Sequence, residues 1–293
     1  MSRGKDISLV LGSGGARGLA HIGVIEWLEA HGFRIRSIAG SSMGALVGGI
    51  YAAGELDAYR HWVSALDRTD VLRLLDLSFG WSGLFKGDRV IERLRDLIGE
   101  RNIEDLDISF TAVATDVEQQ REVWLQRGPL FDAIRASIAV PLVFTPFRVR
   151  GRPLLDGGLI NPVPIAPTLS DHTDLTIAVN VSGPAAGRRR RPPQPPAGNE
   201  ESYRTRIKAF IDELQERMGR STALQWNYFD IMNMSIETMQ NTITRLKLAA
   251  YNPDAVVQVP RDAAGAFEFY RARELIELGR QLAEETLAGL RDA

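Results

Sequence analysis

Ser42 is the first residue in this chain whose surroundings suggest chemistry. It centres Gly40-Ser41-Ser42-Met43-Gly44, a G-x-S-x-G pattern. Small residues at Gly40 and Gly44 let a strand turn sharply into a helix, which leaves a serine exposed on strained backbone. The following helix would aim its free N–H groups and positive dipole at that serine. Upstream stands Gly12-Ser13-Gly14-Gly15-Ala16-Arg17-Gly18. Glycines clustered in this way let backbone N–H groups converge on a negative group. Arg17-Gly18 does not supply the Lys-Ser/Thr ending of a P-loop. Counted from Gly12, the last glycine of a dinucleotide fingerprint is replaced by Arg17. The remaining use is an oxyanion hole, with N–H donors aimed at the charge of a tetrahedral intermediate.

A serine hydroxyl needs an activating base. One candidate is His172, in the polar run Ser170-Asp171-His172-Thr173-Asp174. An α/β-hydrolase would supply its base as a histidine late in the chain, but it would also set several strands before the nucleophile, and only two precede Ser42. The other candidate is Asp156, in Leu154-Leu155-Asp156-Gly157-Gly158-Leu159-Ile160. As plain structure this is the D-G turn of a hairpin. As chemistry, partial desolvation among apolar neighbours raises a carboxyl pKa and makes it a better base. His21 reads as a packed or capping residue.

These residues need elements to hold them. The apolar run at residues 7–11 predicts a buried strand, residues 18–31 a helix, 35–40 a second strand and 43–53 a second helix. Residues 55–100 read as mostly helical, interrupted by an aromatic loop at 79–85 that would serve as a lid or an interface contact. Strands follow at 109–115 and 121–126, a short helix at 131–138, and a hairpin of 144–150 and 153–155 about Gly151. The apolar run 140–147 would line an acyl channel or simply fill the core, as would Met232, Met234 and Met239. A strand at 175–181, a helical stretch at 201–250, a strand at 255–259 and a helix at 271–290 complete the pattern. Alternating strands and helices predict a parallel sheet in an α/β layered fold.

The whole chain, residues 1–293, reads as one domain. Residues 183–199 form an Arg/Pro-rich flexible loop, and residues 200–250 a helical insertion packing on the same domain. Within the loop, Arg188–Arg191 reads first as a solvated charge run and second as a contact with anionic lipid. The composition is ordinary for a globular protein, 44% hydrophobic and 25% charged over 293 residues. It contains no cysteine, which removes disulfides and thiolate chemistry. The formal net charge of −2 leaves no global basic footprint for nucleic acid. The four histidines show no zinc-like spacing. The absence of a signal-like N-terminus and of an 18-residue apolar run fits a cytoplasmic protein.

Taken together, Gly-x-Gly-Gly-Ala-Arg-Gly, Gly-Ser-Ser-Met-Gly and Asp-Gly-Gly, in this order, resemble the patatin-like phospholipase family. Two further blocks are similar to that family: Ala133-Ile134-Arg135-Ala136-Ser137-Ile138-Ala139-Val140-Pro141, and Phe269-Tyr270-Arg271-Ala272-Arg273-Glu274-Leu275-Ile276. The likeness covers residues 7–182 and 235–290. It implies a three-layer α/β/α fold with a mostly parallel central sheet. It implies a Ser42–Asp156 dyad without histidine, an oxyanion hole from Gly14 and Gly15 together with Gly12, and a supporting role for Arg17. Gly40, Gly44, Gly157 and Gly158 shape the site. Ser13 departs from the glycine that many members carry there. The implied activity is hydrolysis of a lipid acyl ester by a serine esterase of the phospholipase A, lysophospholipase or esterase type. It needs no metal or nucleotide cofactor and no nucleic acid partner, with peripheral contact at the inner membrane surface as a further expectation. The rival reading is a non-catalytic lipid or acyl-group binding protein on the same scaffold.

Overall fold

A computed structural model describes residues 4–74, 87–187 and 228–290. The chain separates into two compact units, residues 1–186 with 237–293, and residues 187–236. The sheet, Ser42, Asp156 and the glycine motifs around them belong to the first unit. Of the second, the structure describes Gly187 and the first turns of one helix. The aromatic loop at 79–85 and the Arg188–Arg191 run lie outside the described residues, as does most of the 183–199 loop and the 200–227 part of the expected insertion.

Among the described residues eight strands form one sheet. Strand β1 (Asp6–Leu11) is central and pairs in parallel with β2 (Arg34–Ser41) on one side and β7 (Leu175–Gly183) on the other. Beyond β2 lies β3 (Ser109–Asp116), and beyond β7 lies β8 (Ala255–Pro260), both parallel. Three antiparallel strands complete the sheet beside β3: β4 (Arg121–Leu125), and the hairpin of β5 (Phe147–Val149) and β6 (Arg152–Asp156). The order β5-β6-β3-β2-β1-β7-β8 reverses direction at β1, the place where open α/β sheets carry their ligand sites, at the C-terminal ends of the parallel strands.

Helices cover both faces, giving the three-layer α/β/α arrangement. Leu9 and Leu11 of β1 point into a large core shared with α1 (Ala20–Ala30), α2 (Met43–Ala52), α3 (Leu56–Ala65), α5 (Asp88–Ile98), α6 (Leu130–Ser137) and α8 (Ala272–Leu287). A short α4 (Arg68–Leu74) sits at the edge. Val10 points to the opposite face, where Val163, Ile165 and Ala178 meet Leu248 and Tyr251 of α7 (Tyr228–Tyr251). Burial on both faces explains why β1 reads as an apolar run rather than an alternating one.

Among the described residues the expected elements recur with small shifts. The helix expected from residue 18 begins as a 3-10 turn, Gly15–Leu19, before α1. The strand expected over 144–150 is only Phe147–Val149, because residues 140–144 form tight turns onto the Val140 carbonyl. Helices α1 and α8 cross closely: a Cβ added at Gly279 would lie 2.0 Å from the Ala20 carbonyl oxygen.

Candidate active site

The three glycine-bearing motifs converge at the C-terminal edge of the sheet. Ser42 follows β2 and stands at φ 56°, in a backbone region that non-glycine residues occupy only when their surroundings enforce it. The enforcement is visible. Its N–H donates to Ser137 Oγ at 2.9 Å, and Ser137 donates in turn to the Val113 carbonyl at 2.6 Å. On the other flank α2 lies directly on the end of β1. A Cβ at Gly44 would sit 2.0 Å from the Leu11 carbonyl oxygen, so no larger residue fits without moving the helix. Ser42 itself is 5% exposed.

Asp156 ends β6, which pairs with β3 just past the point where β2 stops, with Ala114 opposite Asp156 and Val113 opposite Ser41. Its backbone is fixed on both sides: its N–H donates to Ala139 O at 2.9 Å, and its carbonyl accepts the Thr115 hydroxyl at 2.8 Å. Its Oδ1 accepts the Gly158 N–H at 2.6 Å. Its Oδ2 is buried without a partner of full hydrogen-bond geometry, which leaves a lone pair for a proton. Burial raises the Asp156 pKa from 3.8 to about 6. Hydrogen bonding from the Ser42 hydroxyl and the Gly158 N–H pulls it the other way but does not offset the lost hydration.

The glycine loop at residues 12–18 leaves β1 and lies against both motifs. A Cβ at Gly158 would meet Ser13 Oγ at 2.6 Å, so the Asp-Gly-Gly turn is pressed onto the loop. The N–H groups of the loop divide in two. Gly12 donates to Val179 O at 3.0 Å, Ser13 to Pro162 O at 2.8 Å and Ala16 to Ala266 O at 2.8 Å. The N–H groups of Gly14 and Gly15 make no hydrogen bond among the described residues. Gly12 therefore differs from the expectation for it: its donor is occupied by the sheet.

Arg17 is buried, with its guanidinium engaged by backbone carbonyls. Its Nε donates to Val181 O at 2.9 Å and one Nη to Arg261 O at 3.0 Å, with Glu237 at 3.7 Å from the other. It ties the glycine loop to the end of β7 and to the segment after β8. His21, fully buried, bonds the Gly12 carbonyl through Nε2 at 2.9 Å. Burial lowers its pKa to about 4, so it stays neutral and donates from that nitrogen. His172 is exposed and precedes β7, at the edge of the sheet opposite Ser42. Met234 and Met239 are both exposed. No cluster of histidine, cysteine and carboxylate side chains among the described residues could hold a metal ion. No helix among them is long and apolar enough to cross a membrane.

Sequence reasoning did not single out Ser137 or Thr115. Ser137 carried a signal: it is a lone hydroxyl in the otherwise apolar Ala136–Ala139 stretch of a block already noted.

Comparison with known proteins finds relatives of this chain. The family model described as patatin-like phospholipase matches residues 9–169. An NTE family protein of Mycobacterium tuberculosis is 38% identical, over 96% of this chain and 91% of its own length. The lysophospholipase NTE1 of Pyricularia oryzae is 26% identical over 99% of this chain and 19% of its own length. A neuropathy target esterase of Drosophila persimilis is 32% identical over 55% of this chain and 12% of its own length.

Proposed function

The chain belongs to the patatin-like phospholipase family, and from that premise we propose that it is a serine acyl hydrolase of lipid esters, with Ser42 as nucleophile and Asp156 as base. Membership supports lipid ester hydrolysis as the general activity. The reading of the dyad rests on one observation above all: a buried carboxylate with a free oxygen and a raised pKa stands beside a serine held on strained backbone.

In the proposed reaction the Ser42 hydroxyl attacks the ester carbonyl while Asp156 takes its proton. The Gly14 and Gly15 N–H groups, unpartnered among the described residues, receive the oxyanion. Asp156 passes the proton to the leaving alcohol. Water then attacks the acyl-serine, again with Asp156 as base, and the carboxylic acid departs. Gly157 and Gly158 keep Asp156 against the loop, while Arg17 and His21 hold the loop itself. A single domain over residues 1–293 and a cytoplasmic location are parts of the same proposal.

Labelling with a fluorophosphonate tests it. The expected adduct is on Ser42, lost in Ser42→Ala and strongly slowed in Asp156→Asn. A folded protein that takes no label, with or without lipid micelles, would overturn the catalytic reading in favour of a lipid binder.

A further inference from the structure

The β5–β6 hairpin carries an arginine at every second position around its tip: Arg148, Arg150 and Arg152. All three are exposed, and none forms an ion pair among the described residues. Arg148 only donates to Gly151 O at 2.9 Å, across the turn. That turn is the two-residue kind with both central residues at positive φ, Arg150 at 50° and Gly151 at 81°. Glycine or asparagine would suit the Arg150 position better, so an arginine there keeps its charge at a conformational cost.

The topology gives the tip its direction. β6 runs antiparallel to β3 and begins where β2 has already ended, so its N-terminal end projects outward from the edge that carries Ser42. Arg152 stands four residues from Asp156 along one strand, about 13 Å. Arg152 lies across from Val149 and Arg148 across from Pro153, so the two charges leave opposite faces of the hairpin with Arg150 at its end. At the Asp156 end of β6, tied to it through the Ala139–Asp156 hydrogen bond, the turn after α6 presents Leu142, 40% exposed at φ 66°. A leucine held in left-handed backbone and partly exposed is an apolar side chain kept at the surface at a conformational cost.

We propose that this tip, Arg148, Arg150 and Arg152, docks the protein on an anionic phospholipid bilayer and so delivers the Ser42 edge to the interface, with Leu142 as an apolar contact from the turn joined to the Asp156 end of β6. The proposal deepens the catalytic reading above and rests on it. A bilayer fits better than an acidic protein partner: a stable protein interface takes some twenty residues a side, whereas a few cations and one apolar side chain suffice to orient a molecule on a charged surface. The net charge of −2 means that attraction must come from a local patch, which fixes orientation.

Flotation of the Ser42→Ala protein with phosphatidylcholine vesicles, with and without phosphatidylglycerol, tests this without hydrolysis. Binding is expected only with phosphatidylglycerol, and weaker in high salt. Replacing the three arginines by alanine should weaken it roughly a hundredfold. Leu142→Gly, which suits the left-handed turn and keeps the fold, should also weaken it. Circular dichroism and melting report that each variant is folded. Equal binding to both vesicles, no binding, or full binding by the folded triple variant would overturn the proposal, and no binding would redirect attention to an acidic protein. Fluorophosphonate labelling of the parent protein separates the two claims. Label without vesicle binding removes the docking surface alone, and vesicle binding without label removes the catalytic reading alone.

Discussion

The Ser137 hydroxyl bridges the Ser42 amide and the Val113 carbonyl, accepting at 2.9 Å and donating at 2.6 Å. One side chain on α6 thus joins the nucleophile turn to the strand that pairs with the Asp156 segment. Ser137→Ala would leave a buried N–H and a buried carbonyl unpaired, each costing about 1–3 kcal/mol. We expect a clearly lower denaturation midpoint. The fluorophosphonate labelling rate should fall further than that loss of folded protein explains. Labelling at the parental rate would mean that the turn holds its shape without the bridge.

The raised pKa of Asp156 sets an acid limit on activity. Only the carboxylate accepts a proton, so the labelling rate should rise about tenfold per pH unit below about 6 and level off above it. A midpoint near 4 would mean that the group is more hydrated in solution than in this structure.

The same shift carries a stability penalty. Asp156 binds its proton more tightly folded, at about 6, than unfolded, at 3.8. Folding stability therefore declines as pH rises through that window, by on the order of 3 kcal/mol for a shift of about two units. Asp156→Asn keeps an acceptor for the Gly158 N–H and never ionises. It should melt higher than the parent at pH 8 and alike at pH 4, while losing nearly all activity. Equal melting at both values would refute the penalty.

Gly44→Ala should be severe although it adds one methyl group. Its Cβ would lie 2.0 Å from the Leu11 carbonyl oxygen, and that neighbour is backbone. Overpacking of this kind costs about 1–3 kcal/mol and here also shifts α2 behind Ser42. Thermal melting and labelling rate should fall together.

Arg17→Met preserves length and apolar stem but drops the bonds to Val181 O and Arg261 O. A loosened glycine loop should slow labelling by up to about a hundredfold. The acid midpoint near 6 should not move, since Asp156 is untouched; a shifted midpoint would place Arg17 in the proton-transfer step.

Much of this was legible in the sequence, for identifiable reasons. β1, β2 and β7 are buried on both faces and so appear as apolar runs. Ser42 and Asp156 were legible because each is flanked by glycines that the close approach of backbones requires. What stayed hidden was the partner of each polar group. Nothing local says that the Gly12 N–H is taken by Val179, that Arg17 reaches the backbone after β8, or that Ser137 serves Ser42 from 95 positions away. Such pairings belong to the tertiary fold and leave only a faint trace, such as one hydroxyl in an apolar helix.

The close crossing of α1 and α8 bears on how the molecule comes into being. β1 and α1 are synthesised before two of the elements they pack on, β7 and α8. Until residues 272–287 exist, the groove on α1 that Gly279 fills stands open, and the apolar side chains around it face water. Contacts so distant along the chain make for slow folding and prolonged exposure of sticky surface. Nascent chains halted before α8 should therefore be clients of holding chaperones, and the site around Ser42 should be among the last parts of the protein to take shape.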